Sequence, residues 1–325
     1  MEGKPTVSVV VLSYNRPALL REALRALAAQ SYAPLEIILV DNRSPASDEV
    51  ARVAAEFPRV RLIRNNENLG FTGGMNLGIA EATGEFIYLT EDDMTLDPDC
   101  LRHLVEYAEG HLDEGLLSPV LYNRAAGTIR CAGGEVSLGG VHRMKIHGEG
   151  QRDGGQFPEP FDVTYVDGAV IFARTRFLRK MGGFREEFFM YVDAVDLSLR
   201  VAKCGGRMTV VPRAKARHFE PPEGAPPAPG IAFHKYKNFF SLYLLHAPAR
   251  HLPEFFCRYA ALGLLRAVAG RGGDWRALLK ALAWTARRAP SLVWERRRGF
   301  PASRAETSGA RAAGRATEPR SEASA

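Results

Sequence analysis

The feature that most constrains the fold is a series of short apolar segments in the first third of the chain, each followed by polar residues. Leucines at positions 20, 24 and 27 follow the first segment and lie on one face of a predicted helix. Strand and helix patterns that alternate at this spacing predict a parallel sheet with right-handed crossovers, and therefore an α/β fold. The segments are Val7 to Ser13, Leu35 to Val40, Arg61 to Ile63, and Phe86 to Leu89.

Polar side chains follow these strands at the points where the strands end. Ligands of open parallel sheets lie outside the carboxyl ends of the strands, so we expect these side chains to line one crevice. They are Tyr14, Asn15, Asp41, Arg64 and the run Glu91 to Asp93.

Three consecutive acids, Glu91, Asp92 and Asp93, follow the apolar strand Phe86 to Leu89. Neighbouring carboxylates raise one another's pKa unless a cation lies among them. Oxygen ligands of this kind suit Mg²⁺ or Mn²⁺ that carries a substrate's phosphates. The alternative is an acidic loop in which Asp97 or Asp99 serves as the N-cap of the next helix.

Several segments, taken together in this order, are typical of one known family. They include Val7 to Pro17, Leu35 to Ser44, Asn68 to Ile79, Thr90 to Met94, Tyr165 to Arg174, Gly182 to Phe184, Phe188 to Tyr191, and Asp196 to Arg200. These segments resemble family 2 glycosyltransferases of the rhamnosyltransferase-like type. The resemblance covers about the first three quarters of the chain. It implies a GT-A fold, a Rossmann-like and mostly parallel sheet flanked by helices.

The resemblance also implies residues that bind the sugar donor, a nucleoside diphosphate sugar. Asp41 would accept the imide N–H of uracil or thymine; alternatively it caps the turn that follows it. Asp92 would contact the ribose or a metal-bound water. Arg64 and Asn68 would face the nucleotide or diphosphate, although both can equally be turn residues.

Tyr14 and Asn15 complete the predicted donor edge, and Asn15 is also a plausible N-cap of the first helix. The glycines at positions 70, 73 and 74 would let the backbone approach the donor closely. Packing at the start of a helix is the alternative role of these glycines.

Asp93 is the predicted main metal ligand, and His218 follows a strand-like segment where family members often place a metal-binding histidine. A carboxylate with an imidazole suits Mn²⁺ better than oxygen ligands alone. Glu91 departs from the Asn or Asp usual in the family. The segment His234 to Asn238 contains two lysines, whose charge would stabilise the departing diphosphate.

Asp193 is the predicted catalytic base, which would deprotonate the acceptor hydroxyl. Family members usually carry an acidic pair here, and its second member corresponds to Ala194. An alternative role for Asp193 is the N-cap of the following helix, with Asp196 facing the helix dipole. Asp167 and Asp196 are the alternative bases.

Charge distribution indicates a different character for the C-terminal part. From Arg266 onward there are 13 Lys and Arg but 5 Asp and Glu residues, whereas the remainder is nearly neutral. We predict a glycosyltransferase domain at 1–250, with a nucleotide-binding half (1–120) and an acceptor half (121–250). An amphipathic basic helical extension follows at 251–300 and a disordered tail at 301–325. The extension would pack on its own domain or contact anionic lipid; no motif indicates nucleic acid.

The first strand begins at Val7 and leaves no room for a secretory signal, which favours a cytoplasmic protein, with peripheral contact at the inner face of the membrane as an option. The predicted function is metal-dependent, inverting transfer from a UDP- or dTDP-sugar to a hydroxyl of a glycan, a lipid-linked or a small-molecule acceptor. The alternatives are a non-catalytic sugar-nucleotide-binding or scaffold protein and a sugar-1-phosphate nucleotidyltransferase. The latter normally has a Gly-rich phosphate loop after its first strand, unlike this chain.

Overall fold

A computed structural model describes residues 3–111, 115–139, 142–219, 230–268 and 274–298. The predicted disordered tail at 301–325 lies outside these residues. The first elements are β1 Val7–Ser13, α1 Pro17–Ala28, β2 Leu35–Asp41, α2 Ser47–Ala55, β3 Val60–Arg64, α3 Gly70–Glu81, β4 Phe86–Glu91, β5 Met94–Leu96 and α4 Cys100–His111.

The second half adds shorter strands and the C-terminal helices. Its elements are β6 Gly115–Asn123, β7 Ile129–Cys131, β8 Gly134–Leu138, β9 His142–Ile146, β10 Phe161–Asp162, β11 Ile171–Arg174, α5 Thr175–Lys180, α6 Asp193–Lys203, β12 Arg207–His218, α7 Ile231–His246, α8 Leu252–Val268 and α9 Asp274–Arg298.

One mixed sheet organises the chain, with the strand order β10-β12-β6-β11-β4-β1-β2-β3. The strands β4, β1, β2 and β3 are parallel to one another, and β11 runs antiparallel to both β4 and β6. All seven residues of β1 are buried, as expected for a strand covered by helices on both faces. Two large apolar clusters form the core, one containing Val9 and Leu24 and the other Val10 and Ile79.

The first helix does not begin as the sequence predicts. Its N-cap is Arg16, whereas Asn15 has a left-handed backbone with φ 60°. The prediction of Asn15 as the N-cap was therefore wrong. Pro17 opens the helix, where its lack of an N–H costs nothing.

The C-terminal helices pack on the rest of the chain. Leu278, Ala281 and Leu292 of α9 are buried. Glu295 of α9 accepts hydrogen bonds from Arg185, with a shortest distance of 2.7 Å. None of the helices in the described ranges combines the length and the apolar character that a membrane crossing requires.

Candidate active site

The carboxyl ends of β1 and β4 are joined by the side chain of Asp92. Its Oδ2 accepts hydrogen bonds from Ser13 Oγ at 2.9 Å and from the Tyr14 N–H at 3.0 Å. Asp92 is buried, and this burial raises its pKa to about 6 against the opposing effect of Arg16. The first and fourth strands therefore deliver their polar ends to one place because they are adjacent and parallel.

Arg16 lies among the acids that follow β4. Its Nη1 pairs with Asp93 Oδ2 and lies 3.5 Å from Asp92 Oδ1. The Arg16 side chain is 43% exposed, so it lies at the solvent edge of the cluster. The run of acids predicts a cation here, but Arg16 was not among the predicted site residues. The sequence could have suggested this role, because Arg16 is the cation in the polar run that follows β1.

Glu91 adds less negative charge than its sequence position suggests. Its burial raises the pKa of its carboxyl group well above the usual range, and the neighbouring Asp93 and Asp92 carboxylates raise it further. A raised pKa favours the neutral form of Glu91, which reduces the mutual repulsion of the three acids.

Asp93 and His218 approach each other because β12 pairs with β5. Met94 and His218 are partners in that antiparallel pair, and the Phe219 N–H donates to the Asp93 carbonyl at 2.9 Å. The His218 Nε2 consequently lies 3.6 Å from Asp93 Oδ1. Asp93 Oδ1 is buried and has no hydrogen-bond partner among the residues described.

These two residues fit a divalent cation that is shared with a substrate. In the part of the chain that the structure describes, no group of three or more His, Cys, Asp or Glu residues could hold a metal alone. Mg²⁺ and similar ions are commonly held by one or two protein ligands together with substrate phosphates and waters. The unpartnered Asp93 oxygen facing His218 matches that donor set.

The polar residues that end β2 and β3, Asp41 and Arg64, contact side chains and backbone in the segment after β2. Asp41 is completely buried; its Oδ1 accepts the Ser44 N–H at 2.9 Å, and its Oδ2 accepts from Ser47 Oγ. These contacts are those of the turn-capping alternative. Arg64 pairs with Asp48 at 2.8 Å. Donor recognition by Asp41 and Arg64 stays a prediction.

Asn68 and the glycines form the start of α3. Asn68 Oδ1 accepts the Gly70 N–H at 2.8 Å, as in a turn. A Cβ at Gly70 would lie 2.3 Å from the Phe189 carbonyl oxygen, and one at Gly74 would lie 2.4 Å from Leu12 Cδ1. The close approaches at these glycines are to protein atoms, which is the packing alternative.

Tyr14 and Asn15 form the outer edge of the site. The Tyr14 side chain is 44% exposed, and the Asn15 N–H donates to Ser44 Oγ at 2.8 Å. An exposed aromatic ring beside Asp92 is available for contact with a ligand. Its donor role stays a prediction.

Asp193 is the first residue of α6, and the preceding Val192 is the N-cap. Burial raises the pKa of Asp193 to about 7, against the backbone N–H groups of Asp193 and Ala194; Asp167 and Asp196 raise it further. Asp193 is thus a carboxyl group whose pKa is close to neutral pH, which suits a general base.

Asp196 does not have the surroundings of a base. It is completely buried, and its oxygens accept from Arg185 at 3.1 Å, Arg200 at 2.8 Å and the His246 ring at 2.8 Å. Asp196 lies in the first turn of α6, as expected for a carboxylate at the helix dipole, and it also joins an ion-pair network. Asp167 remains the alternative base.

The lysines of α7 differ in position. Lys237 is buried; its Nζ donates to the Glu187 carbonyl and lies 5.1 Å from the centre of the Trp284 ring. Lys235 Nζ lies 4.8 Å from the centre of the Tyr191 ring. The contacts of Lys237 are structural, so Lys235 is the better candidate for contact with the diphosphate.

The fold is that of GT-A glycosyltransferases. GalNAc-T7, solved with UDP, GalNAc and Mn²⁺, superposes with a TM-score of 0.60 at 17% identity over 74% of this chain and 48% of that chain. The mannosyltransferase PcManGT from Pyrobaculum calidifontis, solved with GDP-Man and Mn²⁺, gives a TM-score of 0.53 at 18% identity, over 93% of this chain and 86% of that one.

Sequence comparison finds one family match and several similar proteins. The model of glycosyl transferase family 2 matches residues 8–128. The N-acetylglucosaminyl-diphospho-decaprenol L-rhamnosyltransferase of Mycobacterium tuberculosis is 25% identical over 255 residues, which cover 72% of this chain and 83% of that protein. The succinoglycan biosynthesis protein ExoO of Rhizobium meliloti is 25% identical over 65% of this chain and 59% of its own length.

Residues 8–128 match glycosyl transferase family 2, and together with these relatives and the GT-A fold this match identifies the chain as a glycosyltransferase. The resemblance in the sequence, the α/β GT-A fold and the enzyme class are thereby confirmed.

Proposed function

We propose that this protein is a metal-dependent, inverting glycosyltransferase that moves a sugar from a UDP- or dTDP-sugar to a hydroxyl group. The observation that carries the proposal is Asp93 Oδ1, buried without a hydrogen-bond partner and 3.6 Å from His218 Nε2, at the carboxyl edge of the parallel strands. That edge is where open α/β sheets bind nucleotides.

Asp93 and His218 would hold Mg²⁺ or Mn²⁺ together with the donor diphosphate. The bound ion would supply charge stabilisation for the departing nucleoside diphosphate. Arg16 contacts Asp93 at the solvent edge of the same cluster, so its guanidinium is positioned to bind a phosphate oxygen as well. Asp92, which fixes the end of β1, would orient the donor.

Asp193 would accept the proton of the acceptor hydroxyl. Its pKa of about 7 means that the carboxylate is substantially ionised at neutral pH and is a stronger base than an ordinary aspartate. A base that removes the hydroxyl proton as the oxygen attacks the anomeric carbon gives a single displacement, and therefore inversion.

A lipid-linked acceptor is the class that we favour. The relative from Mycobacterium tuberculosis is named for a diphospho-decaprenol acceptor. The outward side of α9 suits a lipid surface, because Leu279 and Trp294 are 45% and 54% exposed there. They lie among the exposed cations Arg276, Lys280, Arg287, Arg297 and Arg298.

The test is binding of UDP, dTDP and GDP in the presence and absence of MnCl₂, measured by thermal unfolding and calorimetry. A nucleotide at 100 times its dissociation constant should stabilise the fold by about 2.7 kcal/mol. Asp93→Asn and His218→Asn should each remove the Mn²⁺-dependent part of this stabilisation.

Asp99→Asn is the matched control, because Asp99 bonds to Ser31 and Arg102, away from the cluster. Hydrolysis or transfer with UDP- and dTDP-sugars then distinguishes an enzyme from a protein that only binds. Nucleotide binding that is independent of Mn²⁺, or unaffected by Asp93→Asn, would contradict the proposed site.

A further inference from the structure

The loop that leads into α6 has an unusual backbone. Phe189, Tyr191 and Val192 have φ values of 65°, 66° and 66°, in the left-handed region. Residues other than glycine rarely adopt this region, and a β-branched residue such as Val192 does so least readily. Such a conformation persists only where the surroundings hold it. We name residues 188–192 the 188–192 loop.

The Asn238 side chain, which belongs to α7, stabilises this loop conformation. It is completely buried, and its Nδ2 donates to the carbonyl oxygens of Phe188, Met190 and Tyr191 at 2.8, 2.7 and 2.8 Å. One amide group thus binds three carbonyls of the loop. The NH₂ group of Asn238 must therefore face the loop, because the amide oxygen of the same side chain would be repelled by the loop carbonyl oxygens.

The opposite side of the loop rests on the start of α3. The Thr72 N–H donates to the Phe189 carbonyl at 3.2 Å. Gly70, itself at φ +69°, leaves the space that this carbonyl occupies. The loop is therefore held between α3, at the donor side of the site, and α7.

The loop ends at the residue that would act as base. Val192 is the N-cap of α6 and Asp193 is its first residue, so the loop backbone determines where the Asp193 carboxylate lies. From this geometry we infer that Asn238 is a positioning residue for transfer, which holds the 188–192 loop so that Asp193 meets the acceptor hydroxyl. The inference rests on the proposed function of Asp193.

Asn238→Ala removes the three hydrogen bonds and leaves the loop carbonyls without this donor. Transfer kcat should fall by about 10-fold or more, because small misplacements of a reacting group are costly. The affinity for UDP or dTDP with MnCl₂ should change little, since Asn238 bonds to the loop and not to Asp93 or His218. Hydrogen exchange of the amides of residues 189–193 should accelerate by a similar factor.

Asn238→Asp keeps the shape of the side chain but turns a carboxylate oxygen toward the carbonyls, so its kcat should be at least as low. Val192→Gly in the Asn238→Ala background should recover part of the kcat and of the exchange protection, because glycine adopts positive φ without strain. Ser241→Ala is the matched control: Ser241 is equally buried on α7, but bonds to the Lys237 carbonyl of its own helix.

Normal kcat and normal loop exchange in Asn238→Ala or Asn238→Asp would overturn the inference, as would equal losses in Ser241→Ala. If Asn238→Ala does not fold, hydrogen exchange of the wild-type protein tests the inference. Amides of the 188–192 loop that exchange as fast as those of exposed turns would overturn the inference. Protection of these amides like that of α6 would support the inference. A wild-type protein without transfer activity refutes the proposed function instead, and the exchange data still decide whether Asn238 holds the loop.

Discussion

Replacing Asp193 by Asn should make the protein more stable at neutral and alkaline pH while it strongly reduces transfer. Burial raises the pKa of Asp193 from its ordinary value of about 3.9 to about 7. The native state thus binds the proton more tightly than the unfolded state, so wild-type stability falls as pH rises between these values. Asn removes the buried charge and can still accept a backbone N–H at the helix start.

The size of the effect follows from the pKa values. From pH 5 to pH 7 the unfolded Asp193 is ionised and the native one is mostly protonated, which costs about 1.4 kcal/mol per pH unit. The stability advantage of Asp193→Asn should therefore grow by roughly 2 to 3 kcal/mol between pH 5 and pH 8, and level off above pH 7. Transfer should fall by roughly 10²-fold or more.

Urea unfolding of both proteins at pH 5, 6, 7 and 8 measures the difference, because the two proteins differ in one titratable group. Asp153→Asn serves as a control of opposite sign: the bonds from Lys215 and Tyr122 lower the Asp153 pKa to about 2, so this variant should be less stable than wild type at neutral pH. An Asp193→Asn advantage that does not change with pH would refute the reasoning, and near-normal transfer would move the base to Asp167.

Gly70→Ala should destabilise the fold by about 2 kcal/mol or more in urea unfolding, because alanine at φ +69° is strained and its Cβ would overlap the Phe189 carbonyl; wild-type stability would contradict the close packing. Asp196→Ala should cost about 3–5 kcal/mol in urea unfolding, since it leaves Arg200 buried without its carboxylate and removes one of the carboxylate partners of Arg185. Changing Arg276, Lys280 and Arg287 to Gln should weaken sedimentation with phosphatidylglycerol vesicles by roughly 100-fold at low salt, at about 1 kcal/mol per cation. A wild-type protein that does not sediment with such vesicles would contradict the proposed contact with a membrane.

The α/β architecture follows from local sequence patterns. The strands β1, β2 and β4 lie where the apolar segments predict them, because a run buried on both faces must be apolar throughout. The parallel arrangement then fixes which residues share an edge, so the meeting of Tyr14 with Asp92 was predictable.

The partners of individual side chains were less predictable. Asp41 binds Ser44 and Ser47 nearby in the chain, and turn chemistry alone allowed that role from the start. Arg16 pairs with acids 76 and 77 positions away, and the sequence shows only that a cation is needed there. Sequence patterns predict which groups reach the edge but do not predict how they pair.

By itself, the sequence determined the order of the strands' polar ends and the run of acids after β4, since both depend on neighbours along the chain. Tertiary structure decided what required distant segments: the approach of His218 to Asp93 through the β12–β5 pair, and the hold of Asn238 on the 188–192 loop. It also decided the pKa of Asp193, because desolvation depends on everything packed around a carboxylate, and no local pattern encodes that surrounding.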